Sequence, residues 1–248
     1  MSFKNKVAIV TGAASGIGQA ICEKLAEVGV NLVLGDTAED TLKDLAGRLP
    51  GQIETVCSDL SKEEGANRLV GAALARFGTI DILVNNAGGG VIRPFLDHTP
   101  ETLRETLDRN LWTALWCTRT VLPHMLTKKF GRVIFIGADS VRNGLWQHAG
   151  YNAAKGGVHG LTTGLAREFA ADDITFNTVA PCIVDTPIVV EMRKQHTIPL
   201  LEDAIGVVPK GRPAQTAEVA SMVRYLASEE AAFVTGQVIS VNGGSTML

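Results

Sequence analysis

This sequence carries little net charge and has no long apolar run, and each of these two features excludes a class of protein. The formal net charge is only −3 at pH 7, so no nucleic acid partner is expected. No apolar run approaches the roughly 20 residues that cross a bilayer. The apolar stretch after Lys6 is too short for a signal peptide. We therefore expect a cytoplasmic protein with no membrane partner.

The residues of metal and disulfide chemistry are also few. The five histidines are scattered along the chain, and no C-x-x-C pair occurs among Cys22, Cys57, Cys117 and Cys182. The cysteines are expected to be small buried thiols. No metal site is predicted.

The sequence is rich instead in short apolar runs. Hydrophobic residues make up 46% and charged residues 20% of the 248 positions, which is enough apolar material for a large core. Runs of strand type alternate with segments of helical period along the chain. This alternation predicts one α/β domain over residues 1–248, a doubly wound (Rossmann) sandwich with helices on both faces of a parallel sheet.

A glycine-rich turn, Thr11–Gly18, follows the first apolar run, Val7–Val10. Gly12 permits a tight turn from strand to helix, Gly16 lets the backbone approach a pyrophosphate, and Gly18 lets the helix pack closely on the strand. The free N–H groups and the positive dipole end of the new helix would then face an anion. The pattern is Gly-x₃-Gly-x-Gly, and taken alone it is equally compatible with an ordinary glycine-rich turn.

A carboxylate at the end of the second apolar run favours the phosphate-binding interpretation. The run Asn31–Gly35 ends in Asp36, eighteen residues after Gly18. An acid at this spacing accepts hydrogen bonds from both hydroxyls of an adenosine ribose, whereas it would repel a 2′-phosphate. No cation stands at the adjoining positions, so NAD is expected rather than NADP. A solvated acid at a strand end is the alternative.

Two further strand ends carry polar groups. The third strand, Ile53–Cys57, is followed by Asp59 and Leu60, and the carboxylate is expected at the adenine. The alternative for Asp59 is to cap the next helix, for which Ser61 is an equal candidate. The fourth strand runs into Asn85–Gly90, whose amides can bridge neighbouring strand ends while its small residues leave room for a ribose or nicotinamide.

Tyr151 and Lys155 stand four positions apart at the start of a helical segment, so they share one helix face. A phenol with an unperturbed pKa of about 10 is a poor base at neutral pH, but an adjacent ammonium group and a positive nicotinamide stabilise the phenolate. The pair therefore suits acid–base catalysis, with an unrelated surface pair as the alternative. Asn110 lies within the helical stretch Pro100–Lys128, although asparagine is unfavourable in helix interiors. It therefore has either a functional role or an exposed polar position.

These motifs resemble the short-chain dehydrogenase/reductase family over essentially the full chain: the glycine turn, the segment Asn85-Asn86-Ala87-Gly88 and the pair Tyr151-x-x-x-Lys155 recur in order. The resemblance implies a seven-stranded parallel sheet and hydride transfer with a nicotinamide. It also implies that Asn110 holds a water linking the lysine to solvent, often at a kink in the helix. The implied catalytic residues are thus Tyr151, Lys155 and Asn110.

The resemblance further implies contacts to the nicotinamide end of the cofactor. It assigns the main chain of Ile183 to the carboxamide and Thr186 to the amide or the pyrophosphate. Together, motifs and resemblance indicate a cofactor-binding set consisting of Gly12, Ser15, Gly16, Ile17, Gly18, Asp36, Asp59, Leu60, Asn86, Ala87, Gly88, Tyr151, Lys155, Pro181, Ile183 and Thr186.

The sequence departs from the family pattern at two positions. The family's serine thirteen residues before the tyrosine polarises the substrate oxygen, and Ala138 stands there in this chain. Ser140 would point to the same side if the strand continued with a small bulge, which makes it a candidate fourth catalytic residue. Asp139 would point the other way, as a loop cap or in an ion pair with Arg142. Cys182 replaces the usual glycine, and any requirement for φ > 0 would strain it.

We expect reversible hydride transfer between NAD and a secondary alcohol. Trp146, Arg93 and an apolar substrate lid near residues 187–211 favour a small-molecule substrate such as a cyclic dihydrodiol or a hydroxy-carboxylate. A 3-oxoacyl reductase is the alternative enzyme, and Ala138 motivates a non-catalytic NAD(H)-binding sensor subunit. The glycine-rich helix over residues 151–170 and the resemblance together imply a homotetramer or a dimer.

Overall fold

The structure, a computed structural model, describes residues 3–194 and 199–247 of the chain. The strands in these residues are β1 (Val7–Thr11), β2 (Asn31–Asp36), β3 (Ile53–Cys57), β4 (Ile82–Asn85), β5 (Gly131–Ile136), β6 (Ile174–Pro181) and β7 (Val238–Val241). They form one parallel seven-stranded sheet in the order β3-β2-β1-β4-β5-β6-β7. The predicted doubly wound α/β fold is confirmed.

Helices cover both faces of the sheet. Within the described ranges they are α1 (Gly16–Ala26), α2 (Glu39–Arg48), α3 (Glu63–Phe77), α4 (Pro100–Leu107), α5 (Thr113–Lys128), α6 (Ser140–Asn143), α7 (Ala149–Phe169), α8 (Pro187–Lys194), α9 (Pro199–Gly206) and α10 (Thr216–Leu226). Alternate residues of β1 serve two cores: Ala8 and Val10 face α1, α2 and α10, while Val7 and Ile9 face α3, α5 and α7. Both faces of the strands are therefore apolar. No helix in this part of the chain is long and apolar enough to span a membrane.

The strand order reverses between β1 and β4, and polar segments follow the strands on either side of this point. The glycine turn follows β1, residues 86–90 follow β4, Ala138 and Ser140 follow β5, and Ile183 and Thr186 follow β6. Ligands of open α/β sheets bind outside the carboxyl ends of the strands at such a switch point. The topology therefore gathers four segments that are distant in sequence at one edge of the sheet.

Two local expectations were wrong. Strand β5 ends at Ile136, so it does not continue to Ser140, which instead begins the single turn of α6. The Asp139 N–H donates to the Pro181 carbonyl at 2.9 Å, and this bond to the end of β6 accompanies the turn of the chain. Cys57 is exposed rather than buried, because it ends an edge strand.

Two glycines of α3 give a matched test of how this helix docks. A Cβ on buried Gly65 would overlap the carbonyl oxygen of Asp59, whereas a Cβ on exposed Gly71 would meet nothing within 4 Å. We expect Gly65→Ala to lower the free energy of unfolding by about 2 kcal/mol or more. Gly71→Ala should raise it by roughly 0.5–1 kcal/mol. Urea denaturation measures both, and equal effects would contradict this packing.

Candidate active site

The glycine turn brings backbone close to backbone and leaves donors free. Gly12 adopts φ +62°, and a Cβ on it would lie 2.7 Å from the main chain of the loop after β4. A Cβ on Gly18 would overlap the Gly12 carbonyl oxygen. The Ser15 hydroxyl accepts a hydrogen bond from the Gly18 N–H at 3.1 Å. Within the described structure the N–H groups of Gly16 and Ile17 have no protein acceptor, so they can meet an anion.

Asn86 ties the glycine turn to the end of β4. Its side-chain amide donates to the Gly12 carbonyl at 2.9 Å and to the Ser15 hydroxyl at 3.2 Å. The Thr11 hydroxyl accepts hydrogen bonds from the N–H groups of Asn86 and Ala87 at 3.0 and 2.9 Å. The predicted bridge between strand ends is therefore present.

A cavity of about 920 Å³ opens beside this turn. Leu60, Ala87 and Gly88 contribute to its wall. Asp36 reaches it from the end of β2, where its carboxylate accepts from the N–H groups of Ala14 at 3.0 Å and Thr37 at 2.7 Å. The charged lining is mostly acidic: Asp36, Asp59, Arg104, Arg109, Glu101, Glu105 and Asp108. The volume of the cavity, the glycine turn and the carboxylate of Asp36 fit the adenosine half of a nicotinamide dinucleotide.

Asp59 lines this cavity and does not cap a helix. Its carboxylate accepts hydrogen bonds from the Ser61 N–H at 3.0 Å and hydroxyl at 2.7 Å. The bond from the Ser61 hydroxyl is the main cause that holds the pKa of Asp59 below its usual value. Helix α3 begins after Lys62 without a side-chain cap. Both capping alternatives are therefore wrong, because the two candidates bind each other.

The loop after β4 packs directly against the predicted catalytic side chains. A Cβ on Gly88 would lie 2.6 Å from Asn110 Oδ1 and 3.2 Å from Lys155 Nζ. A Cβ on Gly90 would lie 2.7 Å from the ring of Tyr151. Only glycine fits these two positions, and the structure thereby gathers the three side chains around one loop.

Tyr151 and Lys155 lie in α7, where burial works against the charged form of each. Desolvation raises the pKa of Tyr151 to about 12 and lowers the pKa of Lys155 to about 8. Lys155 Nζ donates a hydrogen bond to the Ile136 carbonyl at 2.7 Å, at the end of β5. The same Nζ lies 5.8 Å from the centre of the Tyr151 ring. The ammonium is thus fixed beside the phenol.

Asn110 lies in a π-helical turn, Asp108–Trp112, that joins α4 to α5. The side chain is 1% exposed, so the alternative of an exposed polar residue is wrong. Its amide donates to the carbonyls of Gly89 at 2.7 Å and Thr106 at 2.8 Å, and its oxygen accepts from the Gly89 N–H at 3.2 Å. The interruption of the helix turns this amide toward the loop after β4.

The segment after β5 carries a methyl group at Ala138 and a hydroxyl at Ser140. The Ser140 hydroxyl donates to Asn152 Oδ1 at 2.6 Å, and Asn152 Nδ2 donates back to the Ser140 carbonyl at 2.8 Å. This reciprocal pair joins α6 to α7 at the residue next to Tyr151. Ser140 is therefore held at the start of α6 by its bonds to Asn152. The bulge expected in a continued strand β5 is absent.

The segment after β6 covers the start of α1. A Cβ on Gly16 would lie 2.7 Å from Pro187 and 3.2 Å from the Thr186 side chain. Cys182 is not among the residues with positive φ, so the strain expected there is absent. Thr186 thus lies next to the glycine turn, and Ile183 follows two residues after the end of β6.

Comparison with known proteins adds independent evidence. The model of a family described as enoyl-(acyl carrier protein) reductase matches residues 12–246. The chain is 58% identical over 252 residues to a 2,3-dihydroxy-2,3-dihydro-p-cumate dehydrogenase of Pseudomonas putida, covering 100% of this chain and 97% of the relative. It is 34% identical over 248 residues to a 3-oxoacyl-[acyl-carrier-protein] reductase of Escherichia coli, with 100% of both covered. The solved structure of levodione reductase has a TM-score of 0.92 at 30% identity and covers 98% of each chain.

The chain belongs to the short-chain dehydrogenase/reductase family. It is an oxidoreductase that transfers hydride between a nicotinamide cofactor and the CH–OH group of a small-molecule substrate. The predicted family, fold and reaction class are confirmed.

Asp139 is the residue of this dehydrogenase whose role the sequence did not reveal. Its fully buried carboxylate accepts hydrogen bonds from Ser240 at 2.8 Å, Asn242 at 2.9 Å and Ser245 at 2.6 Å. Burial raises the pKa of Asp139, but the hydrogen bonds outweigh it and hold the pKa below its usual value. The expected ion pair with Arg142 is not formed, since Arg142 donates to Ser240 and to a carbonyl of β7. The polar residues 242–246, which follow the last strand, were the feature of the sequence that could have indicated partners for this carboxylate.

Proposed function

We propose that this enzyme oxidises a vicinal dihydrodiol of a six-membered ring, with NAD as the hydride acceptor. The observation that carries the proposal is the 58% identity, over 100% of this chain, to a relative named as a dehydrogenase of a ring dihydrodiol. Oxidation of one carbinol in such a ring yields a hydroxyketone, and its tautomer is an aromatic catechol. Recovery of aromaticity would draw the reaction toward oxidation.

The active-site geometry supports a division of work among the side chains. When bound, the nicotinamide supplies the hydride acceptor and a positive charge. Tyr151 takes the proton of the substrate hydroxyl, Lys155 stabilises the phenolate and holds the adjoining ribose, and Asn110 maintains a proton path from the lysine to solvent. Ser140 is retained in the active site because Asn152 anchors it one residue from Tyr151.

The cofactor contacts are assigned by the chemistry of each group. The pyrophosphate faces the free N–H groups at the start of α1, next to Thr186. Asp36 would hold the ribose of the adenosine, and Asp59 and Leu60, which line the cavity, would hold the adenine. The carboxamide meets the main chain of Ile183. Residues 187–211, of which 195–198 lie outside the described residues, serve as a substrate lid on the single domain.

The acidic lining of the adenosine cavity supports NAD rather than NADP. Five carboxylates and two guanidinium groups line it, so a 2′-phosphate would enter a field of its own sign. Each of the two arginines also lies near an acid within four positions along the chain: Arg109 pairs with Glu105, and Arg104 Nη1 lies 3.7 Å from Glu101 Oε1. Asp36, whose oxygens face the turn, is the group nearest the expected ribose.

Replacement of Asp36 tests this preference. We expect Asp36→Asn to lower the ratio of kcat/KM for NAD to that for NADP by about 10- to 100-fold, because it removes one charge of the wrong sign for a phosphate. Asp40→Asn, an exposed acid in the first turn of α2, is the matched control and should leave the ratio unchanged. Steady-state kinetics with both cofactors measures it. A wild-type enzyme that prefers NADP would overturn the proposal.

Arg93 supports a substrate that carries a carboxylate. It lies three residues after Gly90, which packs on Tyr151, and it is half-buried. Among the described residues Arg93 has neither an ion pair nor a hydrogen bond, so its guanidinium can bind a carboxylate in a bidentate manner. Its neighbours Ile92 and Phe95 and the indole of Trp146 are exposed, which suits the apolar body of a ring.

The direct test is turnover of ring dihydrodiols with NAD, followed by cofactor absorbance. We expect oxidation by the wild type, and Tyr151→Phe should lose about 10³-fold in kcat while still binding NADH. Tyr225→Phe removes the other tyrosine and should behave as the wild type. A diol carboxylate should be preferred over its uncarboxylated parent, and Arg93→Gln should abolish that preference.

Two other outcomes would favour the alternatives. Reduction of 3-oxoacyl thioesters with NADPH, without turnover of diols, would indicate a 3-oxoacyl reductase; the relatives with such names are 34–36% identical, so their support is weaker. Binding of NADH without turnover of any alcohol or ketone would indicate a sensor subunit. The placement of Tyr151, Lys155 and Asn110 around one loop favours catalysis over that second alternative.

The surface supports a homotetramer or a dimer. Trp112 is 42% exposed and stacks on Trp116 at 5.3 Å, and a Cβ on Gly160 or Gly164 of α7 would meet nothing within 4 Å. An exposed aromatic pair and a flat helix face suit contact with a second copy. A single-chain mass in sedimentation would contradict this. All four cysteines are free thiols, which agrees with a cytoplasmic location that cell fractionation would test.

A further inference from the structure

The hydrogen bonds between Ser140 and Asn152 fix the position of a proton. The Ser140 carbonyl can only accept, so the amide atom 2.8 Å from it must be Nδ2. The other amide atom, Oδ1, then faces the Ser140 hydroxyl at 2.6 Å and must receive its proton. Ser140 therefore has no proton left for a substrate oxygen. Within the described structure no group donates to its hydroxyl oxygen, so its lone pairs are available as acceptors.

Asn143 lies three residues after Ser140 in the same helical turn and has unmet hydrogen-bonding capacity. Neither Oδ1 nor Nδ2 of Asn143 has a partner in the described structure, although both atoms are buried. Leaving a buried amide without partners is costly, and such groups in folded proteins are usually met by a ligand or an ordered water. Positions three apart in a helix lie on neighbouring parts of one face.

Helix α6 is tied to the rest of the fold by several hydrogen bonds, although it is only one turn long. The Asp139 carboxylate fixes its start to β7 and to the segment after it. Arg142 fixes its middle, donating to the Ser240 hydroxyl at 2.9 Å and to the Val238 carbonyl at 2.8 Å. A rigid support of this kind can present polar groups in a defined geometry. The helix thus offers one acceptor at Ser140 and both a donor and an acceptor at Asn143, beside the start of α7.

We propose that Ser140 and Asn143 form the subsite for the second, non-reacting hydroxyl of a vicinal diol. This hydroxyl donates its proton to the Ser140 oxygen and accepts from Asn143 Nδ2, so each of these two groups gains a partner. The reacting hydroxyl, on the adjoining carbon of the substrate, gives its proton to Tyr151. The inference rests on the proposed diol oxidation, and it assigns Ser140 to diol specificity instead of polarisation of the reacting oxygen.

The test compares a ring dihydrodiol with a ring alcohol that has a single hydroxyl. We expect Ser140→Ala and Asn143→Ala each to raise KM for the diol about 3- to 10-fold, the worth of one neutral hydrogen bond. The corresponding change in KM for the single alcohol should be smaller, because that substrate has no second hydroxyl. Asn143→Ala leaves the pair of Ser140 and Asn152 intact, so it remains informative if Ser140→Ala folds poorly. Ser221→Ala, an exposed serine of α10, is the control.

The outcomes that overturn the subsite are distinct from failure of the proposed function. If Ser140→Ala lowers kcat on both substrates and Ala138→Ser in the same chain restores it, Ser140 is the polarising donor and the inference is wrong. Unchanged diol kinetics in both single variants would also overturn it, leaving Asn143 to an ordered water. Failure of the wild type to oxidise any ring diol would instead overturn the proposed function.

Discussion

The burial of Tyr151 beside Lys155 is the constraint on which the active site depends. Burial raises the pKa of Tyr151 to about 12 and lowers the pKa of Lys155 to about 8, so at neutral pH the phenol is protonated and the lysine keeps most of its charge. Both shifts oppose the phenolate and ammonium forms that proton transfer uses. A positive nicotinamide against the phenol would favour the phenolate. In the proposed mechanism the acid–base group is therefore coupled to cofactor binding.

The surrounding fold packs a loop directly against this pair. Gly88 and Gly90 let the loop after β4 lie directly on the side chains of α7, where any Cβ would collide. The amide of Asn110 holds that loop through Gly89, because the π-helical turn aims it there. The carboxylate of Asp139 fixes the segment after β5 to the end of β7. The same packing therefore brings Tyr151, Lys155 and Asn110 together around one loop.

The parts of this site that depend on local pattern could be predicted from the sequence. Strand β3 was predicted with the bounds observed, and the glycine turn indicated the strand-to-helix junction because turn geometry demands particular residues. The interrupted helix at Asn110 followed from an unfavourable residue type together with the family resemblance. The contacts of Ser140 could not be predicted, because they depend on where β5 ends and on Asn152 of another helix. The partners of Asp139 lie about a hundred positions away, and no local pattern encodes such a contact.

Titration of Tyr151 without and with NAD tests the coupling most directly. The chain contains two tyrosines, so the phenolate absorbance of the Tyr225→Phe protein reports Tyr151 alone. Without cofactor the pKa of Tyr151 is expected at about 12, and saturating NAD should lower it by several units as the positive ring approaches the phenol. A pKa that stays above about 10 with NAD bound would contradict a phenolate base in this enzyme.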